Sequence, residues 1–265
     1  MYDFQFHQPE TLEAATELYA ACEDAAYLAG GMTLIPTLKQ RLASPSDLID
    51  LGRIGELIGV SKTPAGIRVG ALTPHATVAA SEEVRAEIPV LATLAGLIGD
   101  SQVRNRGTMG GSVANSDPAA DYPAAVVALK TVVTTTKRQI AGDAFFQDLF
   151  TTQLDDGELL TAIDFERPLN ASYQKFPNPA SRYAVVGVLV ARYADGVRVG
   201  VTGAGACAFR HAAMEAALNN QFSPESVDAT PTDYGEFNSD LHASAEYRGH
   251  LVGVMARRAV QELVS

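Results

Sequence analysis

The chain has 265 residues, 47% of them hydrophobic, with 20 Lys and Arg against 31 Asp and Glu and a net charge of −11. That length allows one large domain or two modest ones with real cores, and the hydrophobic content excludes a disordered chain. The acidic balance argues against a nucleic-acid partner, which needs a basic face. In chain order, Pro9 opens a helix whose apolar face carries Leu12, Ala15, Leu18 and Tyr19, with acidic residues in its first turn. Ala25–Leu28 reads as a short strand leading into the Gly30-Gly31 turn, and Thr33–Leu42 as the helix that follows. Asp47–Leu51, Leu57–Ser61 and Ile67–Ala71 read as strands, the last two forming a hairpin across Lys62–Gly66. Thr73-Pro74 is expected to cap a short helix with Pro at its first position. Pro89–Ile98 reads as an apolar helix that runs into a glycine-rich segment.

Beyond that segment, Thr131–Thr136 is β-branched throughout and predicts a strand. Glu158–Glu166 predicts another, ended by Pro168. Asn170–Ser181, with Pro177, Asn178 and Pro179, is expected to be the boundary between domains. Tyr183–Tyr193 and Val197–Gly203 then form a hairpin across Ala194-Asp195-Gly196. Arg210–Asn219 and Ala243–Glu262 predict helices, so this last part reads as an α+β unit. The two cysteines, Cys22 and Cys207, lie far apart and no C-x-x-C occurs. An iron–sulfur cluster or zinc site built by this chain alone is not expected. The cysteines are expected as reduced core thiols of a cytoplasmic protein, and the five scattered histidines as incidental. Nothing reads as a signal peptide or a membrane span.

The most informative run is Arg104–Asp121. Gly107, Gly110 and Gly111 fall close together, and Asp117 and Asp121 follow. Glycine lets backbone N–H groups approach a ligand with no Cβ in the way, and successive N–H groups make a concavity for anions. The carboxylates can then accept hydrogen bonds from the hydroxyls of a sugar. Upstream, Ala29–Thr33 has the strand, glycine turn and helix that a phosphate-binding loop needs. Alone it is a weak signal, and the Arg104–Asp121 run is what gives it weight. Two such segments from separate parts of the chain can grip a pyrophosphate from opposite sides. No Gly-x-Ser-x-Gly elbow and no Walker lysine motif occurs, so the chemistry is assigned to a cofactor and not to a pair of side chains.

These two stretches resemble the flavin-binding signatures of the FAD subunits of molybdenum hydroxylases, the medium chains of carbon monoxide dehydrogenase and xanthine dehydrogenase-like enzymes. The first signature is similar to Ala29-Gly30-Gly31-Met32-Thr33-Leu34-Ile35-Pro36, and the second to the Arg104–Asp121 run. The likeness continues through Tyr173–Arg192 to Tyr247-Arg248. It implies an α+β fold with a vanillyl-alcohol-oxidase-like (PCMH-like) FAD-binding domain over residues 1–170, in two subdomains divided near 50–60. A small α+β C-terminal domain would follow over 171–265.

The resemblance implies that the cofactor site comprises Ala29, Gly30, Gly31, Met32, Thr33, Leu34, Thr108, Gly110, Gly111, Ser112, Ala114 and Asn115. Within it, Gly30, Gly31, Thr33, Thr108 and Gly111 meet the diphosphate or ribityl part of FAD, and Asp121 or Asp117 meets a sugar hydroxyl. Leu160 is placed near flavin or adenine, though it also reads as plain core. Lys175 is placed at the flavin's polar edge, though it also reads as a solvated strand end. Ile98 lies over the isoalloxazine or within a helix core. Ser112 stands where the family often has Asn, and Met32 where a polar residue is common. The function implied is electron transfer, from a [2Fe–2S] cluster on a small partner subunit through FAD to an external acceptor. Hydroxylation would occur on a molybdenum-cofactor large subunit, and a dimer of heterotrimers is expected. Two other readings stand beside it: a self-contained FAD-dependent oxidase or dehydrogenase, and a non-enzymatic nucleotide-binding module.

Overall fold

A computed structural model describes all 265 residues. Three larger sheets are laid down in chain order, with a small two-stranded one, Phe146–Asp148 and Thr151–Thr152, before the last of them. The first is parallel: Gln5–His7 and Ala25–Leu28 flank Asp47–Asp50. Parallel neighbours require crossovers, and the helices Leu12–Ala21 and Leu34–Lys39 supply them. Thr11 caps the first of these, its Oγ1 accepting the Ala14 N–H at 3.1 Å. The second stops three residues earlier than its composition predicts, because Arg41 takes a left-handed φ of 61°. A small core of Ala15, Ile49, Leu51, Ile54, Leu57, Leu72 and Leu159 holds this unit.

The second sheet is antiparallel, in the order Val60–Lys62, Gly66–Gly70, Leu160–Glu166, Val132–Thr135, Gln139–Ala141. The expected hairpin forms, pairing Val60 with Val69. Thr73 does not cap the next helix, His75–Ala80, which has Pro74 at its N-cap. Its hydroxyl instead bonds both the N–H and the C=O of Gly59, at 2.9 and 3.0 Å, and so joins the sheet to its own loop. Five further helices follow: Glu82–Glu87, Pro89–Gly96, Ser101–Arg106, Met109–Asn115 and Tyr122–Ala128. After Tyr122 the last is small and apolar at every position, and it is buried along its whole length, as a helix without a polar face must be.

The third sheet, Asn170–Pro177, Ala184–Tyr193, Gly196–Thr202 and Phe209–Arg210, contains the second expected hairpin, closed by the pair Tyr193 and Gly196. Asn170–Ser181, expected as a boundary, is mostly strand, and Pro177-Asn178-Pro179 turns the chain between two strands of one sheet. Ala184–Tyr193 is a nearly continuous apolar run because both of its faces are covered. Leu189, Ala191 and Tyr193 pack into the 32-residue core that includes Tyr122–Ala128. Val186, Val188 and Val190 face the helix Ala245–Val264 through Leu251, Val252, Met255 and Val260. No helix is long and apolar enough to cross a membrane.

Candidate functional site: a cleft between two glycine-rich segments

A cleft of about 840 Å³ opens where the first loop meets the helices of the second unit, a size within the range of cofactor sites. Ala29, Gly30, Gly31, Met32, Thr33, Leu34, Ile98, Thr108, Gly110, Gly111, Ser112, Ala114, Asn115, Asp117, Asp121 and Leu160 all line it. Lys175 does not.

The two glycine-rich segments differ in what they offer. In the first, Gly31 adopts a φ of 75°, which only glycine takes at no cost. The chain therefore turns sharply before the helix begins at Leu34. No acceptor within the chain receives the N–H of Gly30, Gly31, Met32, Thr33 or Leu34. Five consecutive residues that line the cleft thus carry N–H donors with no protein partner, which is the supply of donors an anion needs.

The second segment was expected to present N–H groups in the same way, and it does not. It is a helix, Met109–Asn115, and its first turn is already satisfied. Met109 donates to Thr73 O at 3.0 Å, Gly110 to Ala71 O at 2.8 Å and Ser112 to Thr108 O at 3.0 Å. The Gly111 N–H goes to the capping hydroxyl of Thr108 at 3.1 Å. A Cβ on Gly110 would lie 2.6 Å from Cβ of Ala71, so this glycine serves close packing against the end of the sheet. What the helix gives the cleft is a smooth wall with the polar side chains of Thr108, Ser112 and Asn115.

The two acidic candidates also separate. Asp121 is buried, and both of its oxygens are engaged. The Tyr173 hydroxyl donates to Oδ1 at 2.6 Å and Lys175 Nζ to Oδ2 at 2.8 Å. Lys175 also donates to Leu97 O at 3.1 Å. Only 3% of its side chain is exposed, so it is no solvated strand end; it stands behind Asp121 and outside the cleft wall. Asp117 commits one oxygen to the Ala119 N–H at 2.9 Å and keeps the other unpaired, and burial pushes its carboxyl above the usual range.

Several further residues, none of them among the sequence candidates, line the wall. Tyr19 and Tyr27 stack with centroids 4.7 Å apart. Tyr19 donates to Asp156 at 2.6 Å and Tyr27 to Gly157 O at 3.2 Å. His75 lines the cleft beneath Gly107, its Nδ1 buried without a partner. Burial, and then the Arg104 charge, push its pKa down to about 4. Tyr183 reaches the cleft from the third sheet. Tyr27 was within reach of sequence reasoning, since it lies on the strand that feeds the glycine turn. The others depend on packing between units.

A flavin dinucleotide fits this site on its own terms: a volume of about 840 Å³, a row of unpaired N–H donors for a diphosphate, and apolar walls at Ile98 and Leu160. The features define a nucleotide-cofactor subunit. Residues 2–166 match the family described as the FAD binding domain in molybdopterin dehydrogenase. The chain is 33% identical to the nicotine 6-hydroxylase medium subunit of Paenarthrobacter nicotinovorans, covering 97% of this chain and 96% of that one. It is 32% identical to the carbon monoxide dehydrogenase medium chain of Hydrogenophaga pseudoflava, over the same shares. Its fold superposes on a chain of reconstituted CO dehydrogenase from Oligotropha carboxidovorans with a TM-score of 0.91, at 31% identity, covering 98% and 96% of the two chains. The chain therefore belongs to the family of FAD-binding subunits of molybdopterin dehydrogenases. It is an FAD-dependent oxidoreductase subunit, which sets aside the non-enzymatic nucleotide-binding reading.

Proposed function

We propose that this chain is the medium subunit of a molybdenum hydroxylase. It receives electrons from a [2Fe–2S] small subunit and passes them to an external acceptor, while substrate is hydroxylated on a molybdenum-cofactor large subunit. The observation that carries this reading is the likeness to medium chains along the whole length, joined to a cleft with free N–H donors. The cysteine content agrees, because two distant cysteines cannot hold a cluster. A dimer of heterotrimers follows from the general preference for closed symmetry, and the complex works in the cytoplasm. Residues 1–170 form the FAD-binding domain, divided near 50–60, and 171–265 the C-terminal domain.

Within the cleft, the N–H groups of Gly30, Gly31, Met32, Thr33 and Leu34 hold the diphosphate, and the Thr108 and Ser112 hydroxyls approach it from the facing helix. Gly111 keeps that wall open, with Ala29, Gly110, Ala114 and Asn115 completing it. Asp117, with its unpaired oxygen, is the better acceptor for a sugar hydroxyl. Asp121 acts from the wall, its carboxylate fixed by Lys175 and Tyr173. Ile98 and Leu160 exclude water from the ring systems. When bound, FAD supplies the exchange between one-electron and two-electron transfer. The test is purification of the tagged chain from its native host. Two further polypeptides with iron and molybdenum are expected. A chain that emerges alone at 28.0 kDa, active with an organic substrate and an artificial acceptor, would establish the self-contained oxidase instead.

A further inference from the structure

Away from the cleft, three side chains from three elements meet at one edge of the parallel sheet. His7 ends the first strand, Asp47 begins the central strand, and Cys22 is the C-cap of the helix Leu12–Ala21. The register pairs Gln5 with Asp47. His7 therefore lies two residues along on the same face, and the helix delivers Cys22 over that edge. The ligand atoms of the three all lie within 4.8 Å of one another. His7 Nε2 and Asp47 Oδ1 are 2.7 Å apart, and the Ser46 hydroxyl donates to the other Asp47 oxygen at 2.7 Å, which fixes the carboxylate. None of the three lines the cofactor cleft. Cys22 is half-buried and free, not the core thiol its sequence suggests.

An imidazole nitrogen, a thiolate and a carboxylate make a donor set suited to zinc. Magnesium and calcium take oxygen ligands, so the set discriminates against them. Glu23 and Asp24 directly follow Cys22 and add negative charge. We propose that His7, Cys22 and Asp47 form a Zn²⁺ site with three protein ligands and a fourth position open to water. On binding, the Cys22 thiol releases its proton to solvent, the proton that His7 Nε2 shares with Asp47 leaves that nitrogen, with Nδ1 keeping the one proton of the neutral ring, and the His7–Asp47 hydrogen bond gives way to two bonds to the ion. Zinc–ligand distances of about 2.0–2.3 Å place tetrahedral donors between about 3 and 4 Å apart. The three atoms therefore adjust by about an ångström. The ion ties two strands and a helix of the unit with the smallest of the three cores, where a staple contributes most. Sequence spacing hides the site, since positions 7, 22 and 47 form no metal motif and only the parallel register unites them.

The test uses the full-length chain, stripped with a chelator and re-equilibrated with Zn²⁺ alone. One bound zinc is expected, together with protection of Cys22 from alkylation, Cys207 labelling at its zinc-free rate, and a rise in the thermal midpoint. Cys22→Ser and His7→Gln are each expected to weaken zinc binding by more than about tenfold, since even outer-shell partners cost that much, with flavin content unchanged. Cys22→Ser is the conservative variant and decides the matter if His7→Gln fails to fold. Alkylation of Cys22 at the same rate with and without zinc, or equal zinc affinity in Cys22→Ser, would show a hydrogen-bonded cluster with no metal role.

Discussion

Gly30 and Arg106 touch backbone to backbone: a Cβ on Gly30 would lie 2.0 Å from the carbonyl oxygen of Arg106 and 2.9 Å from Cα of Gly107. The two glycine-rich segments therefore reach the same cleft because they are packed directly on each other. Gly30→Ala must push them apart, since neither contact is the far end of a flexible side chain. The expected cost is about 1–3 kcal/mol of stability. Flavin binding should also weaken more than in Met32→Ala, which alters a side chain of the same loop and leaves the contact intact. Urea midpoints and flavin release on dilution check both halves.

The cap on the facing helix sets a second expectation. Thr108 Oγ1 is the acceptor for the Gly111 N–H. Thr108→Ala should cost about 1 kcal/mol and Thr108→Ser much less. The comparison belongs on flavin-free protein, because bound ligand adds its own stabilisation.

Much of this architecture is legible in the chain and part is not, for physical reasons. Tyr183–Gly203 reads as a hairpin because β-rich runs flank Ala194-Asp195-Gly196, and local chemistry alone specifies it. Within the glycine-rich run, Met109–Asn115 is a helix, although three glycines within five residues argue against one. Its first-turn N–H groups find Thr73 O and Ala71 O on a distant stretch, which no local pattern discloses. For the same reason the glycine content located the cleft without revealing that the weaker-looking Ala29–Thr33 segment holds the free donors. Lys175 was placed at the flavin edge by resemblance. Its burial against Asp121 follows from the packing of the third sheet on the second unit.

The buried Lys175–Asp121 pair yields a third prediction. Lys175→Met leaves the Asp121 carboxylate buried with only Tyr173 beside it. Removing one partner of a buried pair costs about 3–5 kcal/mol. The double variant Lys175→Met with Asp121→Asn should recover a large part of that loss. Denaturation of the two single variants and the double variant measures the coupling, and strictly additive losses would contradict the pairing.

His75 gives a pH dependence. Burial holds its pKa at about 4, below the ordinary 6.5, so the unfolded chain binds the proton more tightly than the folded one. Stability is therefore retained above pH 6.5 and declines as pH falls from 6.5 toward 4. The loss from this group between pH 7 and pH 5 is about 2 kcal/mol. His75→Gln, which does not titrate, should flatten this limb of the stability–pH curve measured by urea denaturation. An unchanged slope would place the acid sensitivity elsewhere.

The most direct measurement of the central claim, that FAD occupies the cleft between Gly30–Leu34 and the Thr108-capped helix, is the flavin stoichiometry of Gly111→Val. A Cβ at Gly111 would sit 2.8 Å from Thr108 Oγ1 and 3.4 Å from Cβ of Ala29, so a branched side chain fills the space between the two segments. Purified from its native host, the unaltered chain is expected to carry one FAD per chain, released into the supernatant by acid precipitation because no cysteine lines the cleft and its one histidine, His75, is buried in the wall beneath Gly107. Gly111→Val is expected to keep its far-ultraviolet circular dichroism and lose the flavin. Full flavin occupancy in a folded Gly111→Val chain would contradict the account.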